Sequence, residues 1–394
     1  MEGYADHPQG TNITTQIMKP RIMQLNQLET GVLFRNEKPH VKSVHAYFPS
    51  VAVLPDGSLI GLFAQGEAFE AVNLQMHWSR SFDQGQTWEY QGQLNPETTD
   101  RLTSTFGRVT TTPDGELLAN LIRYDRSAHP DEGLSNPETL GLVPAELLLM
   151  RSADQGKTWT GPASITPPLV GPAFEMCSPI TILQDGRWLW PTSTWRGWDG
   201  ELPNGNRMLA LVSHDQGDSW DDYLDIMRSP NDQLIFWESK VLELPDGRLL
   251  AVAWCYDEAT GTDRPNHYAL SSDGGASWSA PASTQLRGQT LTPHLLEDGS
   301  LLCIYRRLDE PGLWSCHAHI NEQGAWENGD LIPLWGANSA AGTTQTSENM
   351  SENFAALKFG APHIVRLPDG QRFVTFWCYE QNVSLIRWFK FSVS

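Results

Sequence analysis

Residues 51–63 read Val-Ala-Val-Leu-Pro-Asp-Gly-Ser-Leu-Ile-Gly-Leu-Phe: an apolar run, an Asp-Gly pair, then a second apolar run. Asp-Gly between two extended runs accepts the positive φ of a tight reversal, so the stretch reads as a β-hairpin. The same pattern occurs six times, at Asp56-Gly57, Asp114-Gly115, Asp185-Gly186, Asp246-Gly247, Asp298-Gly299 and Asp369-Gly370. A single pair would decide nothing. Six of them, spaced by roughly fifty to seventy residues, predict a radial array of β-sheets.

A second motif, Ser-x-Asp-x-Gly-x-x-Trp, follows the hairpin in four repeats, starting at Ser81, Ser152, Ser213 and Ser271 and ending at Trp88, Trp159, Trp220 and Trp278. Its Ser and Asp can cap the backbone N–H groups of a turn, Gly supplies the unusual φ, and Trp buries its rings between strands. These aspartates therefore read as structural. A worn fifth copy runs from Asn321 to Trp326. The motif resembles the Asp box, or BNR repeat, of the sialidase superfamily. That resemblance implies an all-β fold: a six-bladed β-propeller with four antiparallel strands per blade. The last repeat holds only three strands (361–367, 372–378 and 384–391), so an N-terminal strand within 22–35 is expected to complete it and close the ring. The chain then reads as a single propeller domain over 1–394, with 1–20 as an extension and 336–358 as a loop over the active face.

Lys and Arg number 27 against 47 Asp and Glu, a formal charge of −20 with pI near 4.9. Such a balance argues against nucleic acid and anionic membrane partners, which bind through clustered cations. No run approaches the roughly 18 apolar residues of a membrane span. Residues 1–20 are polar and carry no signal-sequence pattern, so the chain as given reads as cytoplasmic; a removed leader would make it periplasmic or secreted. Five scattered cysteines without Cys-x-x-Cys read as reduced core thiols. No phosphate-binding loop, dinucleotide fingerprint or metal-ligand spacing is present, so neither cofactor nor metal is expected. Nothing in the sequence sets an oligomeric state.

Strand alternation puts the Asp-Gly turns and the Asp boxes on one face of the ring. The opposite face receives the longer connections, 125–145, 195–206, 257–266 and 336–358, the usual makings of a binding site. Inner-strand starts and second-strand ends should face a central cup there. Starts supply His45, Tyr47, Arg108, Glu175, Trp237, Glu238, Thr290, Thr292 and His363. Ends and following loops supply Glu67, Glu70, Arg123, Tyr124, Trp195, Arg196, Trp254, Tyr256, Asp257, Arg306, Arg307, Tyr379 and Glu380. Acids that move protons, rings that stack on sugars and arginines that grip anions or hydroxyls together suit a carbohydrate.

Sialidases are similar in using three arginines for the substrate carboxylate, a Tyr–Glu nucleophile pair and an Asp acid/base. Aligned on the hairpins, Tyr47 stands for the first arginine and Trp254 for the second, while 313–319 holds no counterpart of the third. Ala361 occupies the place of the nucleophilic tyrosine. Glu238, in Glu238-Ser-Lys-Val-Leu-Glu-Leu, matches the catalytic glutamate, and Glu70, with Glu67 behind it, falls near the acid/base position. The resemblance thus implies a divergent member without the standard sialidase machinery.

Two carboxylates suffice for glycoside hydrolysis. The reading adopted is a glycoside hydrolase acting on a terminal, non-sialic sugar, acidic or deoxy. Its catalytic candidates are Glu238, Glu70, Glu175, Tyr47 and His45; its carbohydrate contacts are Arg108, Arg306, Trp237, Trp195, Trp254, His363, Arg123 and Asp257. Two alternatives stay open: a polysaccharide lyase on uronic-acid glycans with a His or Tyr base, and a non-catalytic sugar-binding propeller.

Overall fold

A computed structural model describes residues 23–96, 101–169, 171, 173–338 and 356–394. The anticipated 1–20 extension and most of the 336–358 loop lie outside the described residues. Strand β1 (Leu25–Phe34) stands apart from the first hairpin. The first blade is β2 (His45–Val53), β3 (Leu59–Gly66), β4 (Gln75–Ser81) and β5 (Glu89–Gln93); the second is β6 (Thr103–Thr111), β7 (Leu117–Asp125), β8 (Ala145–Ser152) and β9 (Thr160–Ile165). In the third, the inner strand is split into β10 (Ala173–Glu175) and β11 (Thr181–Ile182), followed by β12 (Trp188–Trp195), β13 (Arg207–Ser213) and β14 (Asp222–Arg228). The fourth is β15 (Leu234–Glu243), β16 (Leu249–Asp257), β17 (Thr262–Ser271) and β18 (Ala282–Ser283). The fifth is β19 (Gly288–Leu295), β20 (Leu301–Arg307), β21 (Leu313–Ile320) and β22 (Trp326–Trp335). The sixth is β23 (Phe359–Arg366), β24 (Arg372–Glu380) and β25 (Val383–Val393).

The six sheets form a six-bladed β-propeller. Strand β1 pairs antiparallel with β25, Leu25 opposite Val393 and Gly31 opposite Trp388, so the N-terminal segment completes the last blade as expected. Where β1 lies against β25, the Trp388 ring occupies the space a side chain at Gly31 would need.

Each Asp box is held by its own side chains. In the first, Gly85 N–H donates to Ser81 Oγ (2.8 Å), Thr87 N–H and Oγ1 donate to the Asp83 carboxylate (2.9 and 2.6 Å), and Trp88 Nε1 donates to Gly85 O (2.9 Å). Ser213, Asp215, Ser219 and Trp220 repeat the pattern. The hydroxyl residue before each Trp is thus part of the motif. In the worn copy Asn321 takes over, its Oδ1 accepting from Gln323 and Ala325 N–H.

One expected loop is corrected. β17 begins at Thr262, so only 258–261 joins it to β16; Asp257 turns its carboxylate to Arg264, and most of 257–266 is strand.

Candidate functional site

Inner strands β2, β15, β19 and β23 share a local irregularity. Phe48, Glu238, Thr290 and Ala361 each adopt positive φ, between 48° and 58°, and each lies at a register shift against the neighbouring strand. A non-glycine residue in this region costs of order 1–2 kcal/mol. All four stand eight residues before the Asp of their own Asp-Gly turn. The same offset in the other two blades gives Phe106 and Cys177. All six residues line one hollow of about 170 Å³ at the centre of the ring.

Around this ring stand Glu70, Tyr124, Arg108, Glu175, Trp237, Trp254, Gln289 and Arg306. The wall also includes Phe69, Leu134, Leu140, Leu142, Leu357 and Trp377. The loops after β3 and β7, and the end of the segment before β23, therefore close over the same face, as loop length anticipates. The loop after β12 braces the one after β7: Leu142 N–H donates to Arg196 O (2.9 Å), Asn136 Nδ2 to Trp198 O (3.0 Å), and the His129 and Trp198 rings stack at 3.8 Å.

Three carboxylates meet the hollow. Glu238 Oε2 accepts from Thr290 N–H, its backbone N–H donates to Glu175 Oε2 (3.2 Å), and its carbonyl accepts from Lys240 Nζ (3.0 Å). Burial pushes the Glu238 carboxyl up to about 7, opposed by Arg306, the Thr290 N–H and Lys240 and reinforced by Glu175. Burial also raises Glu175, with Cys177, Lys240, the Glu238 N–H and Arg108 pulling it back. Glu70 is raised by burial too, against the Leu134 N–H on its Oε1 (3.2 Å) and the nearby Arg126. The Tyr124 hydroxyl feels both Glu175 and Glu70.

Two buried cations, Arg108 and Lys240, stand near Glu175. Arg108 donates to the carbonyls of Cys177 (3.3 Å), Phe48 (3.1 Å) and Gly107 (3.0 Å), joining three blades. Burial lowers the pKa of Lys240, while Cys177, Glu175 and Glu238 hold it up against Arg108. Beside Glu238, Arg306 donates to Phe359 O (2.7 Å) and to Gln289 Oε1, while its Nε and the Trp237 Nε1 are buried with no protein partner.

The structure brings Glu238, Glu70, Glu175, Arg108, Arg306, Trp237 and Trp254 to this hollow. It sets six other candidates elsewhere. Tyr47 is fully buried, its hydroxyl 2.7 Å from that of Tyr379, and His45 Nδ1 accepts from Ser384 N–H (3.1 Å); both pack between the first and sixth blades. The bulge at Phe48 is the cause: it interrupts the alternation that would aim Tyr47 at the cup and presents Phe48 instead. His363 Nδ1 accepts from Val51 N–H (3.1 Å), and burial beside Arg108 and Lys240 drives its pKa down to about 3, so it is a neutral tie between blades. Trp195 packs behind Trp237 with ring centroids 4.7 Å apart and donates to Leu140 O (2.6 Å). Arg123 pairs with Glu146, and Asp257 with Arg264. The fallback Glu67 is exposed.

Sequence reasoning missed Phe48, Phe106, Gln289 and Lys240. Counting eight residues back from each Asp-Gly turn would have found the first two. It also missed Asp263, which accepts from Trp254 Nε1 (2.6 Å) and Gln289 Nε2 (3.2 Å) behind the wall. The leucines of 134–142 carried no signal, since an irregular loop's path is not written in its composition.

Comparison with known proteins accords with this architecture. A BNR repeat-like domain matches residues 134–287. A Dyadobacter fermentans protein of unknown function aligns over 94% of this chain and 99% of its own, at 18% identity and TM-score 0.71. A leech intramolecular trans-sialidase aligns over 92% and 70% (12% identity, TM-score 0.63). The Trypanosoma rangeli sialidase in complex with sialic acid aligns over 92% and 59% (14% identity, TM-score 0.64). The chain carries the sialidase fold. At these identities the likeness concerns the fold and not the chemistry. No curated protein sequence matches.

Proposed function

We propose that this sialidase-fold protein is a glycoside hydrolase that removes a terminal, non-sialic sugar. The observation that carries the reading is the convergence of Glu238, Glu175 and Glu70 on one hollow, each with its pKa raised by burial. Such surroundings let one carboxyl stay protonated beside another that is ionised at neutral pH. Glu238, which accepts an N–H and faces Arg306 and Lys240, is the better anion; Glu70, with fewer cations near it, is the acid. Glu70 protonates the leaving oxygen as the glycosidic C–O bond breaks. Glu238 attacks the anomeric carbon or activates the water that does so. Water's hydroxyl ends on that carbon and its proton returns to the carboxylate pair. Arg306 sets positive charge beside Glu238, Trp237 and Trp254 offer stacking faces, and Glu175 with Lys240 holds the Glu238 backbone.

The lyase bases named from the sequence, His45, Tyr47 and His363, lie outside the hollow, which leaves that alternative only Tyr124, a lining residue, as its base. Turnover of a panel of 4-nitrophenyl glycosides, with uronate polymers alongside, tests the proposal. Glu238→Gln should lower kcat at least a thousandfold with little change in affinity, and kcat/KM of the native protein should rise with pH through about 7 as Glu238 ionises. Binding without turnover in the native protein would favour a lectin, and an unsaturated product a lyase.

A further inference from the structure

The hollow is chemically two-sided. The wall built by the third to fifth blades carries Glu175, Glu238 and Arg306 together with Trp237 and Trp254. Apart from Glu70 and Arg108, the opposite wall is mainly aromatic and aliphatic: Phe48 lies 5.1 Å from Phe69 and 5.2 Å from Phe106 between ring centroids, and Phe69 lies 5.4 Å from Trp377. Glu70 is on the aromatic side. It follows Phe69 in the chain, and its carboxylate is held by Leu134 N–H, a residue of the same lining.

A general acid must sit within hydrogen-bond reach of the oxygen it protonates. With Glu70 as the acid, the departing group is confined to the aromatic side, while the sugar that stays behind faces the acids and Arg306. A second sugar can stack one face on a ring there, but its other hydroxyls, turned to Phe48, Phe69, Phe106 and Trp377, would lose hydration that those rings do not replace, whereas a flat apolar group gains over its whole surface by leaving water. Resting on the hydrolase reading above, we infer that the leaving group is an aromatic aglycone, so that the substrate is a small glycoconjugate releasing a phenol or benzylic alcohol and not a chain of sugars.

The test uses methyl and benzyl glycosides of whichever sugar the 4-nitrophenyl panel releases. Methanol and benzyl alcohol have nearly the same acidity, so the ratio of their kcat/KM values reads contact with the wall and not leaving-group chemistry. The expected ratio is roughly tenfold or more in favour of benzyl, the scale set by burying one ring. Phe69→Ala should collapse that ratio toward one, and Phe69→Leu should retain part of it. A second arm needs no turnover: benzyl alcohol binding, followed by saturation-transfer NMR, should be present in the native protein and lost in Phe69→Ala and Leu134→Ala. Equal rates on the two glycosides, or a ratio unmoved by Phe69→Ala, overturn the aglycone assignment and leave the hydrolase standing. If no glycoside in the panel is cleaved, the hydrolase reading fails instead. The aromatic ligand then stands or falls on the benzyl alcohol arm.

Discussion

At the scale of single residues, Glu238 shows what a site costs the fold that carries it. Its backbone is left-handed at φ 58°, and its carboxyl is enclosed beside Glu175. The folded-state pKa of about 7 exceeds the 4.5 of a free side chain, so between those values the folded protein keeps a proton that the unfolded chain has released. Stability from this group is therefore lost as pH rises through that window, by roughly 3 kcal/mol once the side chain is ionised in both states. Glutamine keeps the shape without the charge and can still accept the Thr290 N–H. Glu238→Gln should match the native protein's unfolding free energy at pH 4 and exceed it by about 3 kcal/mol at pH 8. Urea titrations at the two pH values would show it; a gap that narrows with rising pH would contradict the assigned environment.

At the scale of elements, the Asp box is a turn that satisfies itself. Ser213 Oγ is buried, accepts from Gly217 N–H at 2.7 Å and donates to Asp215 Oδ1 at 2.8 Å. Ser213→Ala leaves that buried amide without an acceptor, which costs about 1–3 kcal/mol. Chemical denaturation should register the loss, with turnover measured well below the transition unchanged, because the boxes lie on the face away from the hollow. The bulges of β2, β15, β19 and β23 are the other recurrent element. Bulges re-aim side chains and often flank active sites, and here they deliver Phe48, Glu238, Thr290 and Ala361 to one centre.

At the scale of the whole molecule, stability depends on closing a ring whose ends are far apart in sequence. β1 is the edge strand of the sixth sheet and joins the two ends of the described chain. A Cβ on Gly31 would come within 2.4 Å of the Trp388 ring. Gly31→Val should therefore push the closing strand off β25, lowering unfolding free energy by about 1–3 kcal/mol. Limited proteolysis should then cut within 25–34 before any other blade. First cleavage elsewhere would mean that closure is not the weak seam.

Repeat number, hairpins, boxes and the need for a closing strand were legible in the sequence, because each is specified locally: Asp-Gly for a reversal, Ser-x-Asp-x-Gly-x-x-Trp for a stapled turn, three strands where four are required. The fold followed from counting them. Glu238 was singled out as well, through a segment that resembles one in sialidases, and the structure brings it to the hollow. Only tertiary structure decided that Phe48 and not Tyr47 meets the hollow, since a bulge shifts the period-two alternation on which such reasoning rests. Only tertiary structure brought Glu70, Leu134 and Glu175 together, on segments up to about a hundred residues apart, and set Arg108 and Lys240 near Glu175. The electrostatics of the site is a property of that assembly: none of these groups has a shifted pKa until six blades close around it and exclude water.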